Sequence, residues 1–174
     1  MSITKKITVC GIGIALFVAL SLCLQVPVFE NYYLCLGYLV MAVYCYCVSP
    51  LSGVLVGTLG TVLYCFLING LRGMPGWALG NVAIGFIMGY CFIGTRKFKH
   101  KLVEFVVSII CIIGATCIGI LGIKSGVECF LYAQPFVARV ISNTPAFIAD
   151  VVMLIVSYPI CKMLHPHIKR ILGK

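Results

Sequence analysis

The chain has 174 residues, 62% of them hydrophobic and 10% charged, which excludes a soluble domain because a chain of this length cannot bury so much apolar surface. A bilayer accepts such a chain, since a helix of about 20 apolar residues crosses its hydrocarbon core. The formal net charge of +9 would also suit a protein that binds nucleic acid. The positions of the charges along the chain decide between this function and a role in membrane topology.

Six apolar runs predict an all-α integral membrane protein, a single domain built as a bundle of six transmembrane helices. The first run follows Lys5 and Lys6, as in a secretory signal, but it is long enough to span and no cleavage site leads into a polar domain. We therefore expect a retained helix. The second run is short and needs Tyr32 and Tyr33 to cross. The expected spans are residues 7–24, 32–48, 51–69, 77–93, 102–123 and 140–164.

Basic residues fall unevenly on the two sides of these spans. Ten of the thirteen lysines and arginines lie on the side of the two termini if every run crosses. By the positive-inside rule both termini are then cytoplasmic. Arg72, Lys124 and Arg139 fall on the opposite, outer side. Since topology explains the net charge, we expect no nucleic-acid partner.

The connections on the outer side, residues 25–33, 69–76 and 124–138, carry the aromatic, amide and charged groups that suit a polar solute. A solute-binding site is therefore expected near the outer face. Arg72, with the glycines that follow it, is a candidate lid over this site, and Tyr132 with Gln134 is a second. Both segments are equally compatible with ordinary loops.

Asp150 is the most informative polar residue, because an ionisable group inside a span is costly and normally faces the bundle interior with a partner. It either accepts hydrogen bonds from a solute or pairs with Arg139 or Arg72. A structural hydrogen bond between helices is the equal alternative. Asn143 lies seven residues earlier on roughly the same helix face.

Trp77 is the only tryptophan and begins the fourth run. It suits an interfacial anchor, the interpretation we favour, or a stacking wall for an aromatic solute. Asn81 lies one turn further along the same face. The expected substrate-binding residues are Arg72, Trp77, Asn81, Tyr132, Gln134, Asn143 and Asp150.

The sequence carries no recognisable set of catalytic residues. It lacks paired carboxylates, a Ser-His-Asp set and a phosphate-binding P-loop, so we expect no enzyme, no catalytic residue and no cofactor. His165 and His167, in a basic tail, are too few for a metal site. The eleven cysteines lie mostly in apolar runs and are expected to be free thiols, except that Cys35 and Cys129 could pair. Glu104 is placed to reach the basic segment 95–101.

Gly11, Ala15 and Ala19 recur every four residues in the first run and so lie along one helix face. Small residues let another backbone approach closely in lipid, which predicts a docking surface for another helix of this chain or for another protein. We favour another protein, because the chain has no P-loop, no evident inverted repeats and no buried acid-base relay of its own. Glycines at the same spacing predict close helix packing by the third and fourth runs.

The small-residue face resembles the AxxxA motif of S components, the substrate-binding membrane subunits of energy-coupling-factor (ECF) vitamin transporters. The ordered glycine pattern resembles the riboflavin-type branch of that family, in detail over about residues 7–95 and by hydropathy over 100–164. The segments that carry the resemblance are Gly11-Ile12-Gly13-x-Ala15-Leu16-Phe17-Val18, Pro50-Leu51-x-Gly53-Val54-Leu55-Val56-Gly57-x-Leu59-Gly60, Gly76-Trp77 and Gly85-x-x-x-Gly89.

The resemblance implies a subunit of the bacterial cytoplasmic membrane that binds riboflavin or another vitamin or precursor near the outer face. It implies that Ala15 and Ala19 dock on a transmembrane coupling protein that sits on two ATPases, and that ATP hydrolysis there topples the subunit in the bilayer. No ligand residue is carried over from the family, because its pockets differ with the vitamin. Two other hypotheses stay open, a stand-alone small-solute carrier and a ligand-free membrane scaffold.

Overall fold

A computed structural model of the chain describes residues 3–23, 26–29, 32–68 and 70–173. Within these ranges the chain is helical apart from one short hairpin. The elements in chain order are α1 (Ile3–Cys23), β1 (Val26–Phe29), β2 (Tyr32–Leu34), α2 (Gly37–Cys47), α3 (Pro50–Leu67), α4 (Met74–Thr95), α5 (Lys101–Thr116), a π-helical segment (Cys117–Lys124), α6 (Ser125–Tyr132) and α7 (Phe136–Leu172). The predicted span ends at residues 24 and 69, and residues 25, 30 and 31 of the first predicted connection, lie outside the described residues.

Six helical stretches make up the described bundle. Five are long and apolar enough to cross a membrane, and α2 is a shorter apolar helix of 11 residues. One of the five, Lys101–Tyr132, combines α5, the π-helical segment and α6 without interruption. Large apolar side chains such as Leu102 and Phe130 are exposed on the bundle surface, where lipid rather than water suits them. The chain is therefore a multi-pass membrane protein, as the apolar runs predict.

The predicted start of the second span at residue 32 is wrong. Residues 32–34 form β2, which pairs antiparallel with β1 in the register Val26 to Leu34, and the helix begins only at Gly37. Valine and aromatic residues dominate both strand segments, and these residue types favour extended backbone. Apolar character alone could not separate this short strand from the helix that follows it.

The predicted outer connection 124–138 is also wrong in extent. The chain stays helical from Lys101 to Tyr132, because no proline interrupts it before Pro135. The helix ends where Ala133 adopts a left-handed conformation with φ of 50°. The connection to α7 is thus only residues 133–135.

The last helix is longer than predicted at both ends. It begins at Phe136 and continues to Leu172, through Pro145, Pro159 and Pro166. The basic tail that includes His165 and His167 is therefore the last part of α7 rather than a segment that follows the last helix. The ring of His165 packs edge-on against Tyr46, with 5.5 Å between the ring centres. Prolines are tolerated inside transmembrane helices because neighbouring groups satisfy the freed carbonyls.

Glycines bring α3 and α4 close to their neighbours. A Cβ added at Gly53 would lie 2.8 Å from the backbone nitrogen of Cys45 in α2, and one added at Gly89 would lie 2.7 Å from Pro50 in α3. A Cβ at Gly80 of α4 would lie 2.7 Å from a carbonyl oxygen of the π-helical segment. The predicted close packing by the third and fourth runs is confirmed.

Two of the eleven cysteines depart from the prediction of free thiols. Cys91 of α4 and Cys111 of α5 form a disulfide, which ties these neighbouring helices together. Cys35 and Cys129, the pair that the sequence suggested, are both free. The periodicity of each helix shows which residues are apolar but not which helices are neighbours, so it could not identify the bonded pair.

The beginning of α1 and the end of α7 lie at the same end of the bundle, which we call the terminal end. The ammonium nitrogen of Lys5 donates to the carbonyl oxygens of Ile171 at 3.2 Å and Leu172 at 3.4 Å. Lysine at this position supplies donors to carbonyls that the helix itself leaves unpaired.

Glu104 of α5 also lies at the terminal end. Its carboxylate accepts hydrogen bonds from Lys162 at 2.8 Å and from the hydroxyl of Tyr158 at 3.1 Å. The ion-pair partner of Glu104 among the described residues is thus on α7, and not in the basic segment 95–101 as predicted.

Candidate solute-binding site

A polar cavity of about 690 Å³ lies at the end of the bundle opposite the terminal end. It is bordered by the segment before α4, by α6 and by the start of α7. Its lining residues are Arg72, Gly73, Lys124, Glu128, Leu131, Tyr132, Gln134, Arg139 and Asn143. Four of the seven predicted substrate-binding residues, Arg72, Tyr132, Gln134 and Asn143, therefore meet at one cavity.

Glu128 and Asn143 form the buried side of the cavity. The amide nitrogen of Asn143 donates to Oε2 of Glu128 at 2.8 Å and to the hydroxyl of Ser125 at 3.0 Å. A guanidinium nitrogen of Arg139 lies 3.9 Å from the same oxygen. These contacts join α6 to the first turns of α7 and fix the position of the carboxylate.

Tyr132 links the two segments that the sequence proposed as lids. Its hydroxyl donates to the backbone carbonyl oxygen of Arg72, in the segment before α4. The guanidinium carbon of Arg139 lies 4.4 Å above the centre of its ring, a cation–π arrangement. The tyrosine thus contacts the backbone of Arg72 and the side chain of Arg139, two of the three basic residues that line the cavity.

Trp77 and Asn81 belong to a polar network inside the bundle rather than to the cavity lining. The indole nitrogen of Trp77 donates to the hydroxyl of Tyr38 at 2.9 Å, and that hydroxyl donates to Oδ1 of Asn81 at 2.8 Å. The amide nitrogen of Asn81 donates to Thr61 at 2.7 Å and to the carbonyl oxygen of Gly57 at 3.3 Å. The network connects α2, α3 and α4, and Asn81 is fully buried within it.

Asp150 lies in the interior, beside the same network. Asp150 is 6% exposed. Its carboxylate is close enough to be affected by the hydroxyl of Tyr38 and by the charge of Lys124. The cation whose charge acts on Asp150 is Lys124, although no ion pair joins the two residues in the described part of the chain. Arg139 and Arg72, the two partners proposed from the sequence, are not among the charges that act on it. Lys124 also lines the cavity, so the charge of Asp150 acts on a cavity residue.

The substrate-binding residues predicted from the sequence do not include the cavity residues Lys124, Glu128 and Arg139. From the sequence, Lys124 served only to predict topology, Arg139 served for topology and as a possible partner of Asp150, and Glu128 was assigned to an irregular connection. One signal was available: Arg72, Lys124 and Arg139 are the three basic residues that fall opposite the termini, and all three line this cavity. Tyr38 was also missed, because a tyrosine in an apolar run is usually a packing residue.

The three small residues of α1 lie on the surface of the bundle. Gly11, Ala15 and Ala19 are all exposed, and a Cβ added at Gly11 would meet nothing within 4 Å. They do not pack against another described helix of this chain. A groove of about 570 Å³ runs beside Gly11 between α1 and α3, where Leu51, Leu55 and Leu59 line its opposite wall.

No group of three or more histidine, cysteine, aspartate or glutamate residues that could hold a metal ion occurs among the described residues.

The fold and the cavity place the chain in a class of proteins. It is a multi-pass membrane protein with a polar cavity at one end of an apolar helical bundle. The comparison with known families goes further: the family described as ECF-type riboflavin transporter, S component, matches residues 1–166. The chain therefore belongs to this family, which is one of transporter components rather than enzymes, and the resemblance seen in the sequence is confirmed. No curated protein matches the chain.

Proposed function

We propose that this chain is the substrate-binding subunit of an ECF importer in the cytoplasmic membrane of a bacterium. It captures a vitamin or vitamin precursor in the cavity on the outer face. It then delivers this solute by docking, through α1, on a transmembrane coupling protein that carries two ABC ATPases. Membership of the S-component family supports the general role.

The arrangement of α1 is the observation that carries the docking part of the proposal. Its buried residues Gly13, Phe17 and Ser21 recur every four positions and pack into the bundle. Gly11, Ala15 and Ala19 have the same spacing on a different face, which is exposed. A smooth face that the chain does not use for its own packing is what a second helix needs for close approach in lipid.

The distribution of charge supports the orientation. The basic segment 95–101 and the beginning of α1 share the terminal end, and by the positive-inside rule that end is cytoplasmic. The cavity then opens on the outer face, where a solute arrives. Its volume of about 690 Å³ lies within the range of small-molecule sites, about 300–1,000 Å³.

The experiment replaces Ala15 or Ala19 by leucine and measures two properties separately. The first is copurification of the chain with a coexpressed coupling protein and its ATPases. The second is binding of riboflavin and other vitamins to the chain alone, from the shift in unfolding temperature. We expect both variants to lose assembly and to keep solute binding, because the added side chain fills the docking face and is far from the cavity.

The matched control is Ala138→Leu, the same substitution at an exposed position of α7. It should retain assembly. Retained assembly in both α1 variants, or equal loss of assembly and binding, would contradict the proposal. Solute uptake into liposomes by the chain without ATPases would favour the stand-alone carrier. If the assembled complex takes up solute unchanged after every cavity residue is substituted, the hypothesis of a ligand-free membrane scaffold would be favoured.

A further inference from the structure

The cavity has an excess of positive charge. Among the residues that the structure describes, Arg72, Lys124 and Arg139 line it together with a single acidic residue, Glu128. The charge of Asp150 in the interior also acts on Lys124, and even when Asp150 is included the cations outnumber the carboxylates by three to two among the described residues. The other basic residues lie toward the terminal end and already determine the orientation of the chain in the membrane. The three cations at the cavity are not needed for that orientation.

Part of this charge has no hydrogen-bond acceptor in the described part of the chain. The carboxylate of Glu128 is already shared between Asn143 at 2.8 Å and Arg139 at 3.9 Å, the second distance being longer than a hydrogen bond. Nε of Arg139 is buried, and no hydrogen-bond acceptor for it lies among the described residues. A buried guanidinium donor without an acceptor is costly, which favours an acceptor supplied by a ligand.

Two helix N-termini, those of α4 and α7, border the cavity, and so does the C-terminus of α6, whose dipole has the opposite sign. The residue that precedes α4, Gly73, lines the cavity and offers no side chain to cap the helix. At α7, Pro135 likewise provides no side-chain cap, and Gln134 before it also lines the cavity. The unpaired N–H groups and the helix dipole at such ends favour anions.

We infer that the solute taken by this cavity carries a carboxylate or a phosphate, held between Arg72, Lys124 and Arg139. Arginine and lysine bind these groups through charge-assisted hydrogen bonds, and arginine can do so with two parallel bonds. An uncharged solute would leave the excess cations without compensation. The inference rests on the proposed function, since it assumes that this cavity is the solute site.

The experiment compares acids with their uncharged counterparts on the purified full chain in neutral detergent. The pairs are FMN and riboflavin, nicotinate and nicotinamide, and pantothenate and pantothenol. Because hydrogen bonds to charged groups contribute about 1.5–3 kcal/mol, the acid of a binding pair should bind at least about tenfold more tightly than its neutral counterpart. Binding should also weaken with added salt.

Substitutions at the cavity should change acid binding in opposite directions. Arg139→Gln should weaken it by at least about tenfold. Glu128→Gln keeps an oxygen that accepts from Asn143 but removes the negative charge, and it should strengthen acid binding. A merely structural role for these residues would weaken binding in both variants. Lys97→Gln, an exposed lysine of the basic segment, is the control and should leave acid binding unchanged.

Three results would overturn the inference. One is a neutral compound that binds as tightly as its acid, or more tightly. Another is the absence of binding by every acid in the panel. The third is stabilisation by phosphatidylglycerol without any by the soluble acids, which would assign the site to a lipid headgroup. The assembly test with Ala15→Leu is independent of all three, so failure here is distinguishable from failure of the proposed function.

Discussion

The hydroxyl of Tyr38 donates a hydrogen bond to Oδ1 of Asn81 over 2.8 Å and so joins α2 to α4 inside the apolar bundle. Both residues are fully buried. Since Asn81 also donates two hydrogen bonds to α3, its side chain is occupied by the protein itself. This arrangement makes Asn81 a residue that holds three helices together.

Replacement of Asn81 by leucine should therefore lower the stability of the protein. The change removes three hydrogen bonds and leaves the hydroxyls of Tyr38 and Thr61 without these partners. Hydrogen bonds between helices of a membrane protein contribute on average about 0.6 kcal/mol each, so for three bonds we expect a loss of about 2 kcal/mol in the free energy of unfolding. Thermal unfolding in detergent measures it. Tyr38→Phe should cost less, and an unfolding temperature unchanged by Asn81→Leu would contradict this role.

Replacement of Gly80 by alanine tests the close contact between α4 and the π-helical segment. The added methyl group would lie 2.7 Å from the carbonyl oxygen of Gly119, so the two helices must separate. Overpacking of this kind costs about 1–3 kcal/mol. The control is Gly114→Ala, where the new Cβ meets nothing within 4 Å.

The control should not lose stability, because alanine is a better helix former than glycine by about 1 kcal/mol. The two variants are compared by their unfolding temperatures in the same detergent. Equal shifts of both unfolding temperatures in the same direction would contradict the prediction. They would mean that the contact at Gly80 does not limit how closely the two helices approach.

The ion pair between Glu104 and Lys162 should contribute a modest coupling energy. Glu104 is almost buried, whereas 35% of the side chain of Lys162 is exposed, which reduces the interaction through solvent screening. We expect about 1 kcal/mol from a double-mutant cycle of Glu104→Gln and Lys162→Met. Urea-dependent unfolding of the four proteins measures it. Strictly additive effects of the two substitutions would exclude the coupling.

The class of fold could be predicted from the sequence. The positions of two segments relative to each other could not. Apolar runs and the spacing of Gly53, Gly57 and Gly80 predicted membrane helices that pack closely, because lipid and backbone sterics act on each helix separately. The strand at residues 32–34 was missed because a short apolar strand and a short apolar helix have the same composition.

The candidate site shows the same limit. Arg72 and Gln134 were predicted as outer groups from their position between spans. The pairing of Asn143 with Glu128 and the contact of Arg139 with Tyr132 depend on how α6 and α7 face each other. Helical periodicity gives the face of each residue along one helix, but the rotation of one helix against another is determined by packing. The π-helical segment adds a further shift of register between α5 and α6 that no sequence period reveals.

The contact between Tyr132 and the carbonyl oxygen of Arg72 makes a prediction about local motion at the cavity. Tyr132→Phe removes the hydroxyl that ties α6 to the segment before α4 but keeps the ring beneath Arg139. We expect faster amide hydrogen exchange in residues 70–73, because opening of this segment then breaks one contact fewer. Hydrogen exchange followed by mass spectrometry measures the rates peptide by peptide.

Tyr132→Ala should increase exchange further, since it also removes the ring on which Arg139 rests. The control is Tyr90→Phe, which removes a hydroxyl from a largely exposed tyrosine of α4 and should leave residues 70–73 unchanged. If Tyr132→Phe exchanges as slowly as the original chain while Tyr132→Ala does not, the ring, and not the hydroxyl, holds the segment over the cavity. In that case the contact that slows exchange is the one between the Tyr132 ring and Arg139, and not the hydrogen bond to the carbonyl oxygen of Arg72.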